Sequence, residues 1–469
     1  LCANAIDAAR GCPTAPRAGD RKKPGRPDAK SAASIKKRTP HFGGIRVARR
    51  ENHKIKVPAL SLGSDRDHRP NLGHFSGEVM KKLLLAVLLA GVLGVVAVLA
   101  YLLLKPTRVE PVAWTPPVAP ALEGPYAPNE ILKDVQRLAV GVGIGPEGVA
   151  VDAEGNVYAG YEDGRVIRLS ADGTRYVELA NTGGRPLGLK AGADGSVLVA
   201  DPVKGLLRIT AAGAIESLST AADGTALGFT DDLDAADGDG ATYFSDASVK
   251  FPYPGYLFDV LEHGANGRVV RHDAATNAST VVAKDLYFAN GVAVGPNGDW
   301  LLVAETSAYR ITRIWLKGDK AGTREVFADN LPGFPDNLSF NGRDRIWVAL
   351  PGVRDARLDG LAQQPLLRKI MARLPGRLQG KIQNTPPKRG FVLGFDLDGK
   401  LIANLQYGAA DAFAPIMSVE EHGPWLYFGS LSEPAIGRLP LNRVIPTADA
   451  PPAGWEQAPG VPMRVERAN

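Results

Sequence analysis

The sequence predicts an all-β fold, a six-bladed β-propeller with an N-terminal transmembrane helix and a helical insertion. Three observations carry this. First, four short apolar runs lie between Tyr287 and Leu338: Gly291–Val294, Trp300–Ala304, Arg310–Leu316 and Glu325–Phe327. They are separated by Pro296-Asn297-Gly298, Ser307-Ala308 and Lys317-Gly318. Runs this short, rich in Val, Ile, Leu and Trp and broken by turn residues, are antiparallel strands joined by hairpins, and four of them make one blade. Second, the pattern recurs in six units, starting at Pro146, Pro186, Thr230, Ala289, Pro335 and Pro415, which reads as six blades around a ring. Third, Leu83–Leu104 is an uncharged run of about 22 residues, enough for one bilayer crossing.

The last unit ends soon after its third strand, at Leu439, so Ile131–Val142 is expected to supply the missing outer strand. Closing the ring this way removes the exposed sheet edges that would otherwise aggregate.

Ahead of the propeller the chain divides by composition. Residues 1–79 hold 17 Lys and Arg against 7 Asp and Glu, and read as a basic, disordered leader; Met80 is expected to be the natural start. A basic arm for nucleic acid or lipid is the alternative. Residues 80–105 read as an uncleaved signal-anchor, since the apolar core is long and no small-residue cleavage site follows it. Residues 106–129 are a Pro-rich linker, expected to be stiff and extended. The propeller is expected over 130–445 and a tail over 446–469. Lys81-Lys82 precede the span and Lys105 and Arg108 follow it, a weak contrast; basic residues further upstream favour an inside N-terminus, which puts the propeller on the extracytoplasmic side of a single-pass protein.

Beyond residue 79 there remain 38 basic and 43 acidic residues, so the folded part is mildly acidic and the high pI does not imply a nucleic-acid partner. Cys2 and Cys12 are the two cysteines, both in the leader. The propeller therefore has no thiol nucleophile. Outside the leader only His263, His272 and His422 remain, and no Ser-His-Asp arrangement is evident.

Two insertions interrupt the repeats. Lys250–Gly264 is aromatic and follows the second strand of the third blade. Val353–Gly390 carries Leu361, Leu366, Leu367, Ile370, Met371, Leu374 and Leu378 at helical spacing, with Arg368, Lys369, Arg373 and Arg377 between them. Either it caps the propeller or its basic amphipathic helix is a lid facing a membrane.

The stretches GATYFSDASVKF, GYLFDVLEHGANGRVVRHD, LYFANGVAVGPNGDWLLVAETSAYRITRIW and SVEEHGPWLYFGSLSEPAIGRL resemble the strictosidine synthase-like family, over about residues 130–440. Within it the resemblance is to the animal adipocyte plasma membrane-associated group, and in the wider clan to paraoxonases and the gluconolactonase/regucalcin group. This implies a six-bladed propeller, often hydrolysing esters or lactones with a divalent metal in its channel.

Glu147, Asp231, Asn290 and Asp336 stand at the same point of their repeats, just before an innermost strand, and resemble the clan's metal ligands position by position. Asp231 stands where the clan usually has Asn, which adds a negative charge. Ca²⁺, or another divalent metal, takes oxygen ligands of this kind, and Asn337 could add one more. The alternative is that these residues cap strands and bind channel water. Asp336 is the expected catalytic base. Where paraoxonases carry a channel histidine this chain has Leu187. Where plant synthases of the family carry a catalytic glutamate it has Met417, unless the alignment slips and Glu420 or Glu421 reaches the channel. Three readings of function follow: a metal-dependent esterase or lactonase acting on a small molecule, a Pictet–Spengler-type synthase, and a binding propeller without chemistry.

Overall fold

The computed structural model describes residues 77–236, 240–376, 378–379, 387–457 and 459–466. The expected leader up to residue 76, with both cysteines, lies outside them, as does Arg377. The chain divides into two compact units near Val98 and Leu99. Helix α1 (Gly77–Leu104) has 28 residues, a mean hydropathy of 3.0 over its most apolar window, and no buried side chain. At 1.5 Å per residue it is roughly 42 Å long, so it is long and apolar enough to cross a bilayer.

The second unit is the six-bladed propeller. Blade 4 shows the pattern the sequence dictates: strands Ala289–Val294, Trp300–Glu305, Arg310–Trp315 and Arg324–Ala328 pair in order, antiparallel. The innermost strands of the other blades are Val149–Val151, Gly188–Ala191, Thr230–Ala235, Leu338–Phe340 and Ser418–His422. Each strand face must bury its apolar side chains against the next blade, and the core consists of these wedges. Between blades 5 and 6, for example, Trp347, Val392 and Leu405 pack on Val419, Leu426 and Phe428. Between blades 4 and 5, Leu302 and Ile311 pack on Ile346, Val348 and Leu393.

Closure occurs as expected. Gln136–Leu138 pairs antiparallel with Ile436–Pro440, so the outer strand of blade 6 comes from the start of the propeller. The C-terminal segment is more than a tail. Met463–Arg464 adds a fifth, parallel strand to blade 1, and Trp455 packs edge-on against Trp425 at 5.9 Å.

Both insertions leave the blades at the same end of the channel. Helix α2 (Tyr256–Glu262) follows Asp246, which pairs with the first residue of its innermost strand. Helices α3 (Ala356–Leu361) and α4 (Pro365–Arg373) follow Ala349, whose carbonyl accepts the backbone N–H of Asp336 at 3.0 Å. The Pro-rich segment, expected to be an extended spacer, lies along this cap. Val112 N–H donates to Glu262 at 2.9 Å, and Trp114 N–H to Ala362 at 3.3 Å.

Helix α4 differs from the expected amphipathic arrangement. Arg368 and Arg373 are buried, whereas Leu366 and Leu367 are 63% and 41% exposed. The Arg368 guanidinium donates to the carbonyls of Leu261, Val112 and Ala362. Arg373 donates to those of Lys105 and Leu102. A guanidinium offers five donors in a fixed fork and can satisfy several otherwise unpaired carbonyls at once. The arginines therefore clamp linker, α2 and α3 together, and the leucines are left outside.

Candidate functional site

The ring at the channel mouth is built from one repeat position of the six blades, marked in three of them by the same backbone rung. In blades 2, 5 and 6 the rung residue donates its N–H to the second strand: Leu187 to Ala200 at 2.9 Å, Asp336 to Ala349 at 3.0 Å, and Met417 to Gly429 at 3.0 Å. Glu147, Asp231 and Asn290 hold the same place in blades 1, 3 and 4, beside Val149, Thr230 and Ala289 of their strands. The mouth thus carries Glu147, Leu187, Asp231, Asn290, Asp336 and Met417 in blade order, all buried. Glycines let neighbouring blades approach here. A Cβ on Gly148 would lie 1.9 Å from the Leu187 carbonyl oxygen, and one on Gly291 would lie 2.4 Å from that of Asp336.

The four sequence-predicted oxygen donors are brought together. Burial pushes the Asp231 carboxyl well above its ordinary range, and Glu147 and Asp336 lie close enough to raise it further. Asp336 is raised in the same way, by burial and then by Glu147, with a hydrogen bond from Asn290 opposing the shift. Glu147 is pushed up to about 7 by burial, although Arg185 lies 3.4 Å away. At that distance and depth the loss of hydration outweighs the attraction of the guanidinium.

Three buried side-chain oxygens at this mouth have no hydrogen-bond partner: Asn290 Oδ1, Asp336 Oδ1 and Asn337 Oδ1. Buried acceptors are almost always paired, so an orphaned group of them calls for a donor or a cation. No cluster of three or more His, Cys, Asp or Glu side chains suited to a metal occurs among the described residues. The oxygens at the mouth are a mixed carboxylate and amide set. Such all-oxygen sets suit a hard divalent cation rather than zinc, which takes nitrogen and sulfur.

Three residues of the site were not anticipated. Arg185, 3% exposed, donates to the Gly145 carbonyl at 2.9 Å and faces Glu147. Its only signal in the sequence was a place one residue before Pro186. Further along the channel, Asp232 accepts from Val292 N–H at 3.0 Å and is pushed up to about 8 by burial. Asp234 accepts from Val294 N–H at 2.8 Å and pairs with Lys190 at 2.7 Å. Of the glutamate pair on blade 6, Glu420 lines the channel and is pushed up to about 7 by burial. Glu421 is turned into the blade, where the side chains of Arg345 and Trp347 hold it.

An aromatic wall stands beside the ring. Leu187, Phe229, Ala247 and Phe288 cluster with Tyr253 and Tyr256. His263, in the left-handed conformation at φ 50°, is stacked between Trp114 at 3.9 Å and Tyr287 at 4.7 Å. It closes the cap on the linker and is not a ring member. Burial, with Arg368 and Arg310 nearby, lowers its pKa to about 3. The folded protein therefore stays uncharged at His263 where the unfolded chain, with a pKa near 6.5, takes a proton. Stability from this residue is full above about pH 6.5 and falls as the pH drops toward 3, by up to about 1.4 kcal/mol per pH unit. Thermal melts of His263→Phe, which keeps the ring stack, are expected to show a shallower loss between pH 6.5 and 5 than the parent. Equal slopes would show that the imidazole is protonated in place.

The family model for strictosidine synthase matches residues 231–319, and that for the N-terminal part of strictosidine synthase-like proteins matches 124–169. The chain is similar to the adipocyte plasma membrane-associated protein of Salmo salar, at 31% identity over 393 residues, 79% of this chain and 92% of that one. It is also similar to strictosidine synthase-like protein 4 of Arabidopsis thaliana, at 36% identity over 325 residues, 68% of this chain and 85% of that one. Among solved structures, a gluconolactonase from Xanthomonas campestris aligns with a TM-score of 0.47 and 19% identity, covering 72% of this chain and 99% of that one. Relatives at this identity cover more than two thirds of this chain and most of their own length, and the chain belongs to the strictosidine synthase-like family.

Proposed function

We propose that this chain is a membrane-anchored hydrolase of small esters or lactones that depends on a divalent metal, Ca²⁺ in the first instance, held at the channel mouth. The observation that carries the reading is the orphaned group of oxygens, Asn290 Oδ1, Asp336 Oδ1 and Asn337 Oδ1, beside the crowded carboxylates of Glu147 and Asp231. The residues that would hold the ion are Glu147, Asp231, Asn290 and Asp336. Bound there, the metal supplies Lewis-acid polarisation of a carbonyl oxygen.

The chain's own residues do the rest. Asp336 takes the proton of the attacking water at a carboxylate oxygen. It must be ionised for this, and burial opposes ionisation unless a cation is present. Arg185 holds Glu147 in place. Leu187, Phe229 and Phe288 keep bulk water off one side of the mouth and give an aryl or alkyl group a surface to rest on. Met417 fills the blade 6 position, and its thioether is too weak an acceptor for the proton a condensing enzyme must remove. The apolar helix α1 is the proposed anchor, with Lys81-Lys82 on the cytoplasmic side and the propeller on the other.

Chelation tests the reading. An ion at about 100 times its Kd stabilises the fold by about 2.7 kcal/mol, which corresponds to a Tm change of roughly 5–10 °C. A chelator is expected to lower Tm by that amount and to abolish phenyl acetate hydrolysis, and added Ca²⁺ to restore both. If Tm does not move and elemental analysis finds no metal, the propeller is a binding module.

A further inference from the structure

Against the cap lies an apolar cavity of about 590 Å³. This is the size of a small-ligand site, typically ~300–1,000 Å³. Its walls are Val109, Phe251, Tyr256, Leu257, Phe258 and Ala372. No channel residue lines it, and the proposed hydrolysis makes no use of it. We infer that this cavity takes the acyl chain of a single-chain anionic amphiphile, such as a fatty acid, drawn from the bilayer. The inference rests on the anchoring part of the proposed function and not on the metal.

Three features of the structure point to that occupant. One is position along the chain. Pro106, Thr107, Arg108 and Val109 line the cavity, and α1 ends at Leu104. Extended backbone advances at most ~3.6 Å per residue, so part of the cavity lies within roughly 7 Å of the end of the span. Another is the inverted helix α4. With its arginines clamped inward, Leu366, Leu367 and, just beyond, Leu378 are 63%, 41% and 49% exposed. An apolar outer surface of this kind suits the headgroup and acyl boundary of a membrane. The third is charge. Arg108 lines the cavity, is exposed and donates only to the Lys250 carbonyl, at 3.1 Å. Lys105 donates to Tyr101 and to the Arg373 carbonyl. Neither cation has a carboxylate partner among the described residues. An apolar cavity with the exposed Arg108 guanidinium in its lining matches an apolar chain with an anionic head. Tyr256 also packs on the cluster around Leu187, so one aromatic side chain separates the cavity from the ring.

The test uses the full chain in phosphatidylcholine vesicles carrying a palmitate-length fatty acid with a photoactivatable group at the chain end. Labelled peptides are expected to map to Phe251–Phe258 and to the turn of α4 around Ala372. Ala372→Trp and Leu257→Trp, which fill the cavity, are each expected to reduce labelling about tenfold or more, whereas Leu366→Ala, outside it, leaves labelling unchanged. With the probe added free in buffer to the unaltered chain, so that each methylene leaves water, shortening it is expected to weaken labelling by up to about fourfold per methylene removed. This measurement stands even if a filling variant fails to fold. Labelling confined to α1, or independent of chain length and of both fillers, overturns the inference. If the protein does not float with the vesicles, the anchoring reading fails. The same fatty acid added free in buffer then decides the cavity, with labelling at Phe251–Phe258 supporting it and none overturning it.

Discussion

Asp336→Asn is expected to lower phenyl acetate hydrolysis by roughly 10²–10³-fold, the range lost when a positioned general base is removed. An amide cannot take the proton of the attacking water. The change also removes one negative charge from the mouth, and Asp231→Asn controls for that. It takes the same charge from the same ring, at a residue with no assigned part in proton transfer, and is expected to cost the rate far less. Metal content separates the two effects, since a base that is also a ligand loses rate even when the ion is restored by excess Ca²⁺. Stability should move the other way in the metal-free protein. Burial and mutual repulsion raise both carboxyls well above their ordinary range, so each sits in the fold at a cost. Replacing either by a neutral amide is expected to raise Tm in chelator and to narrow the gap between chelated and Ca²⁺-loaded melts. Equal rate losses in the two variants would remove Asp336 from its role as base.

What the sequence made legible was whatever repeats. Strand runs of Val, Ile and Leu between Gly-containing turns set the blade pattern, and a polar residue before an innermost strand marked Glu147, Asp231, Asn290 and Asp336. Each stands two residues ahead of a paired inner-strand residue, Val149, Leu233, Val292 and Leu338. The residues missed are those whose role depends on non-repeating contacts. Arg185 has no counterpart in the other blades, and its meaning appears only when the ring closes on Glu147. Which face of α4 turns inward was not legible in the sequence, where leucines at helical spacing are normally the inward face. Here the inward face meets the backbone carbonyls of Val112, Leu261 and Ala362, to which an arginine can donate and a leucine cannot. Met463–Arg464 is too short to register as a strand until blade 1 is there to pair with it. The Glu420-Glu421 pair was ambiguous because strand faces alternate with period two, so a slip of one residue exchanges channel and blade interior.

That alternation leads to the largest expected loss of stability, in Glu421→Ala. The Glu421 side chain joins blade 6 to the first hairpin of blade 5. Its Oε1 accepts from Arg343 at 2.8 Å, Arg345 at 2.9 Å and Asn341 at 3.1 Å. Its Oε2 accepts from the Trp347 indole at 2.7 Å and from Arg345 Nε at 3.1 Å. Truncation leaves a fully buried indole N–H and a nearly buried guanidinium without partners, and breaking such a pair costs about 3–5 kcal/mol. A drop in Tm of at least about 6 °C is expected. Glu421→Gln keeps an acceptor and should cost only about 1–3 kcal/mol. Burial by itself would raise the Glu421 pKa, but the hydrogen bonds from Arg345, Trp347 and Asn341 outweigh it and hold the carboxyl below its usual value. A carboxyl depressed in the fold contributes stability that is complete above the unfolded value, about 4.3, and is lost as the pH falls through the folded value. The Tm gap between parent and Glu421→Ala should therefore stay constant from pH 8 to about 5 and close only below about 4. Because Glu421 faces away from the channel, Glu421→Gln should retain parental metal content and parental hydrolysis per folded molecule. A fall in kcat at unchanged stability would instead mean that Glu421 reaches the channel, and with it a role in the chemistry proposed for the ring.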